Sequence, residues 1–142
     1  MSKMKSSIIC LSGGFDCIHA GHVRMLQGAV HFGRVVVILN SDEWLIRRKG
    51  YCLQPWHERK EILLAIKGVS EVVSVDDSDD TVCEALSRIK PNVFGNGGLR
   101  VKGNTPEREL CQKLDIALVY GIGGGEGDAK TLDLLEKIKA VK

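Results

Sequence analysis

The chain has 142 residues, 44% apolar and 27% charged, which is the composition of a folded domain and excludes a disordered chain. Twenty Lys+Arg against eighteen Asp+Glu leave a net charge of +2, without the clustered basic stripe of a nucleic-acid-binding domain. The longest purely apolar runs, Val35–Leu39 and Ile62–Ile66, are far shorter than the roughly 20 residues of a membrane-spanning helix.

In chain order, Ile8–Ser12 is a short apolar, β-branched run of the kind that fills a buried parallel strand. Val23, Leu26, Ala29 and Val30 form one face of a helix that Gly33 can end. Val35–Leu39 is a second strand. Pro55 opens a helix with Ile62, Leu63 and Ile66 on its inner side. Val72–Val75 is a third strand. Val82, Ala85, Leu86 and Ile89 then form a helical stripe stopped by Pro91. Val93–Phe94 is a fourth strand, Thr105–Pro106 caps a helix over Glu107–Leu114, and Ile116–Tyr120 is a fifth strand. Leu132, Leu135 and Ile138 mark a last helix, with Asp128 near its start. Alternating strands and helices predict an α/β fold: a single doubly wound domain over residues 1–142, with a five-stranded parallel sheet covered by helices on both faces. Ligands of such folds bind at the carboxyl ends of the strands, where the strand order reverses.

Five scattered cysteines (Cys10, Cys17, Cys52, Cys83, Cys111) contain no C-x-x-C pair. They read as reduced thiols of a cytoplasmic protein, not as a disulfide frame or zinc site. The apolar stretch at the N-terminus ends at Leu11 and reads as too short for a signal peptide.

The loop after the first strand carries the unusual chemistry: Ser12-Gly13-Gly14-Phe15-Asp16-Cys17-Ile18-His19-Ala20-Gly21-His22. Gly13 and Gly14 allow positive φ and bring bare amides close to an anion. A helix starting near Gly21 adds free N–H groups and the positive end of its dipole. His19 and His22, three apart at that entrance, suit phosphate oxygens whose charge grows in a transition state. Asp16 is expected to hold the loop in shape through its own backbone bonds. A metal site from Asp16, His19 and His22 is an alternative, without an HExxH or a cysteine ligand to support it. There is no G-x-G-x-x-G, and Gly28-x4-Gly33-Arg34 lies between helix and strand, the wrong order for a P-loop.

Phe15-Asp16-x-x-His19-x-Gly21-His22 resembles the signature of the H-x-G-H nucleotidyltransferases, a cytidylyltransferase-like, Rossmann-like family. Asn40-Ser41-Asp42-Glu43-Trp44, Arg47-Arg48-Lys49-Gly50 and Glu58-Arg59-Lys60 are similar to further segments of the group with glycerol-3-phosphate cytidylyltransferase and heptose-1-phosphate adenylyltransferase. The resemblance implies transfer of a nucleoside monophosphate from a triphosphate to a phosphorylated sugar or polyol, releasing pyrophosphate. Adenylyl transfer to a heptose phosphate is slightly favoured over cytidylyl transfer to glycerol phosphate. A nucleotide-binding paralogue without turnover and a metal-dependent hydrolase are the competing readings. The resemblance implies Mg²⁺ held mainly by the triphosphate and a homodimer, with no nucleic-acid or membrane partner.

The roles it implies are as follows. Gly13, Gly14 and Phe15 hold triphosphate oxygens, and His19 and His22 steady the reacting phosphorus. Lys49, from a mobile loop, neutralises the attacking or leaving phosphate, with Arg48 the alternative. Asp42 and Arg59 bind substrate or phosphate. Two segments depart from the group's pattern. Gly95-Asn96-Gly97-Gly98-Leu99-Arg100 stands where the group carries Gly-Asp, leaving Asn96, Gly97 and Arg100 as candidate contacts. Gly123–Thr131 replaces a Ser/Thr-rich turn, leaving Lys130 and Thr131.

Overall fold

The computed structural model describes residues 7–96 and 105–124. Five strands, β1 (Ile8–Gly13), β2 (Arg34–Leu39), β3 (Val69–Val73), β4 (Val93–Gly95) and β5 (Ala117–Val119), form one parallel sheet in the order β3-β2-β1-β4-β5. The helices are α1 (Ala20–Ala29), α2 (Asp42–Lys49), α3 (Trp56–Leu64), α4 (Cys83–Ile89) and α5 (Thr105–Leu114). The chain lays β2 and β3 on one side of β1, then returns to lay β4 and β5 on the other. The order therefore reverses between β1 and β4, and the crevice lies beyond Gly13 and Gly95.

The period-2 alternation of the strands sorts the core into two layers. Ile9, Leu11, Val35, Val37 and Leu39 face Met25, Leu26 and Ala29 of α1 and Leu63 of α3. Cys10, Val36, Ile38 and Phe94 face Ala85 and Leu86 of α4 and Cys111 of α5. A sheet buried on both faces needs near-continuous apolar strands, which is why Val35–Leu39 carries no polar residue. Helices on both faces make this the doubly wound α/β fold read from the sequence.

The differences lie where apolar periodicity is weak. Helix α2 is not marked by the sequence pattern, because Leu45 is its only buried residue. Its ends are local instead: Ser41 caps it, and Gly50 closes it at φ +86°. Val30 does not extend the inner face of α1; it starts a 3₁₀ turn, Val30–Phe32, and is exposed. In α3 the inward positions are Arg59 and Leu63, whereas Ile62 is exposed. Strand β3 begins at Val69, three residues before the expected start. The helix expected around Leu132–Ile138, with Asp128, lies outside the described residues.

Candidate active site

The end of β1 is built for close approach, although not by the glycine conformations expected. Neither Gly13 nor Gly14 has positive φ; the left-handed residue is Phe15, at φ +50°. A Cβ at Gly14 would stand 2.6 Å from Leu45 Cδ2 and 3.3 Å from the Trp44 ring, so any side chain there would have to displace Leu45 and Trp44 of α2. Helix α2 thus rests on the bare main chain of this loop. Asp16 does hold the loop's shape, through different partners from those expected. Its carboxylate accepts from the Leu53 and Gln54 amides at 2.7 and 2.9 Å, tying the loop to the approach to α3.

Helix α1 starts with an unusual reciprocal cap. His19 is the N-cap, and its Nδ1 accepts from the Gly21 amide at 3.0 Å. His22 Nδ1 accepts in return from the His19 amide at 3.2 Å. Ser/Thr and Glu/Gln ordinarily fill these two positions. With both Nδ1 atoms accepting, the neutral rings carry their protons on Nε2. The rings stack, centroids 3.9 Å apart and 19° from parallel, and Phe15 lies 4.9 Å from His22. No acidic residue occupies the first turn of α1, so no side-chain charge there offsets the positive end of its dipole. Burial, followed by electrostatic repulsion from His19 and Lys49, pushes the His22 pKa down to about 3. His22 is therefore a neutral donor at physiological pH.

The three residues of the basic run part ways. Arg47 donates to the Asp80 carboxylate and to the Asp77 carbonyl at 2.7 Å. Arg48 lies over the Trp44 ring, 5.2 Å from its centroid. Lys49 turns onto the first loop, its Nζ donating to the Asp16 carbonyl at 2.6 Å beside the Tyr51 ring. It belongs to the last turn of α2, not to a loop, and this geometry separates it from Arg48, the alternative for the same role.

Arg59 is completely buried, so it is neither a surface ion pair nor a broad phosphate-facing cation. Its Nε donates to Gln54 O, its Nη1 to Gly14 O and Asn40 O, and its Nη2 to the Asp42 carboxylate. Four of its five N–H groups are engaged there. It joins the loop after β1, the turn after β2 and the start of α3, while Asp42 serves as its counter-ion. Trp56 Nε1 reinforces the same junction through Leu39 O.

At the other lip of the crevice, Asn96 follows β4; its main-chain N–H donates to Val119 O, while its side-chain Nδ2 is buried without a hydrogen-bond partner among the described residues. Gly95 beneath it leaves room for Ile122, which a Cβ would meet at 2.6 Å. Gly97, Arg100, Lys130 and Thr131 lie outside the described residues. The structure thus brings His19, His22, Gly14, Phe15 and Lys49 together, puts Arg59 and Asp42 behind them, and sets Arg48 over the Trp44 ring.

Sequence reading missed Asp77. It is buried, and its carboxylate accepts from Asn40 Nδ2, Ser41 N and Ser41 Oγ. The sequence offers only an acidic stretch, Asp76-Asp77-Ser78-Asp79-Asp80, with nothing to distinguish one carboxylate. Asp16 is engaged by two amides and both His Nδ1 atoms by main-chain donors. Among the described residues, no group of three or more His, Cys, Asp or Glu is placed to hold a metal ion. No helix among them is long and apolar enough to cross a membrane.

The bifunctional protein HldE of Alcanivorax borkumensis is 34% identical over 138 residues, covering 95% of this chain and 26% of that protein. HldE of Sulfurimonas denitrificans is 37% identical over 135 residues, covering 93% and 27%. An FAD synthase of Ferroglobus placidus is 32% identical over 89 residues, covering 63% and 57%. The chain thus spans about a quarter of the HldE relatives. In fold it matches the crystal structure of a lipopolysaccharide core biosynthesis protein from Thermoplasma volcanium, with a TM-score of 0.66 at 20% identity, covering 80% of this chain and 94% of that one. The cytidylyltransferase-like family model matches residues 10–122, from β1 through the turn after β5, and the chain belongs to that family of nucleotidyltransferases.

Proposed function

We propose that the domain transfers a nucleoside monophosphate from a triphosphate to the phosphate of a small sugar or polyol, releasing pyrophosphate. The observation that carries this reading is the reciprocally capped, stacked histidine pair at the start of α1, with the Lys49 ammonium turned onto the loop that leads to it. An acceptor phosphate is already ionised at neutral pH, so in-line attack on the α-phosphorus requires no general base. The protein's task is to position the reactants and stabilise charge. Two Nε2–H donors, the Gly14 and Phe15 amides, the α1 dipole and the Lys49 ammonium supply this. A neutral His22 donates a hydrogen bond to phosphate without giving up a proton. Asp42 and Arg59 act behind the site, holding its loops together.

Mg²⁺ is proposed to come with the triphosphate, whose oxygens it prefers to an all-protein cage. The bound ion would neutralise charge on the phosphates. Adenylyl transfer to a heptose phosphate is the favoured specificity, supported by the HldE relatives along nearly the whole of this chain.

The test is pyrophosphate release from MgATP or MgCTP with a panel of sugar and polyol phosphates. Turnover is expected with one pairing, and His19→Ala or His22→Ala should lower it about 10²–10³-fold, as loss of an oxyanion donor does. Nucleotide binding without release in every pairing contradicts the catalytic reading. Unchanged turnover in both variants contradicts the roles of the histidines.

A further inference from the structure

We infer that Asp77 is a positioning residue for Lys49, acting through helix α2 from the side opposite the first loop. The inference rests on the functional reading of Lys49 above. Asp77 is 4% exposed and lies on the segment between β3 and α4. One carboxylate oxygen takes Asn40 Nδ2 and Ser41 N at 2.9 and 2.8 Å, and the other takes the Ser41 hydroxyl at 2.7 Å. That hydroxyl is also the N-cap, accepting from Trp44 N at 3.0 Å. By drawing the hydroxyl proton to itself, Asp77 turns the oxygen's lone pairs toward the helix. The same residue's carbonyl accepts from Arg47 in the last turn of α2. Asp77 therefore holds both ends of an eight-residue helix that buries only Leu45 and has little packing of its own.

The direction in which α2 is held determines where Lys49 arrives. Leu45 and Trp44 press on Gly14, and one turn further Lys49 reaches Asp16 O, so tilting the N-terminus would carry the ammonium off the loop. Asp77 makes no described hydrogen bond to the first loop or to Lys49; its influence passes through Asn40, Ser41 and Arg47. Asp77→Asn keeps the volume but turns an amide toward donors that now face a carboxylate. It should loosen α2 while leaving the core intact.

Two readouts test this: affinity for inorganic triphosphate by calorimetry, and amide exchange along residues 42–49. Asp77→Asn is expected to weaken triphosphate binding about tenfold and to speed exchange in α2 while the strands stay protected. In a Lys49→Ala background the same substitution should change affinity less than twofold, because the positioned group is gone. Ser41→Ala, which removes the shared hydroxyl, should act in the same direction and serves if Asp77→Asn does not fold. Unchanged exchange in α2, or a tenfold loss that persists in the Lys49→Ala background, overturns the inference. If Lys49→Ala itself binds triphosphate like the wild type, the functional reading of Lys49 fails, and the inference with it. If only the Asp77 and Ser41 variants are silent, the inference alone fails.

Discussion

His22 shows how one local bond decides a functional property. A histidine at the third position of a helix ordinarily faces solvent with either nitrogen protonated. Here the His19 amide claims Nδ1, and burial keeps the ring neutral down to about pH 3. A folded-state pKa depressed from 6.5 means that the unfolded chain binds the proton first as pH falls. Stability from this group is complete above about pH 6.5 and is lost progressively below it. His22→Gln is therefore expected to be less sensitive to acid than the wild type between pH 7 and pH 5, above the main carboxylate range. Urea unfolding midpoints at the two pH values measure this. Equal losses in both proteins would place the His22 titration elsewhere. The thiols of Cys10 and Cys111 show the same effect of burial, which raises them to about 12 and 11. They serve as apolar core, with Cys10 in the sheet and Cys111 on α5.

Among the elements, the strands and the helices on the sheet faces were legible in the sequence because they bury apolar stripes. Helix α2 was not, because polar contacts define it: a serine cap, a glycine stop and a buried aspartate outside its own sequence. The H-x-G-H residues were legible as a motif, but their reciprocal capping was not, since histidines rarely fill that box. Arg59 was legible as part of a motif and misplaced in depth. Its α3 neighbours suggest an apolar inner face, whereas the helix turns a guanidinium inward to collect three carbonyls and a carboxylate. Arg59→Ala would leave those acceptors without their common donor, and is expected to destabilise the fold by about 3–5 kcal/mol, as leaving several enclosed carbonyls unpaired does. Urea denaturation measures the change. A loss below about 1 kcal/mol would show that water replaces the guanidinium and that the junction of the three loops does not depend on it.

On the scale of the whole molecule, the sheet's topology assembles the site from segments far apart in the chain. Strand β1 is central, so its exit meets the turn after β2 on one side and Asn96 after β4 on the other. The Asn40 amide donates to Gly13 O at 3.0 Å, extending the β1–β2 pairing into the loops. The rigid two-layered core holds the histidines, while α2 brings Lys49 to the rim from outside it. At the end of β4, the Asn96 side-chain Nδ2 is buried without a hydrogen-bond partner among the described residues. The most direct measurement is NMR of the imidazole nitrogens of His19 and His22, free and with MgATP or MgCTP. The prediction is that both rings are neutral and protonated at Nε2 at pH 7, and that both Nε2 resonances shift when the triphosphate binds. Protonation at Nδ1, or Nε2 resonances indifferent to bound triphosphate, would contradict the claim that this histidine pair holds the phosphates.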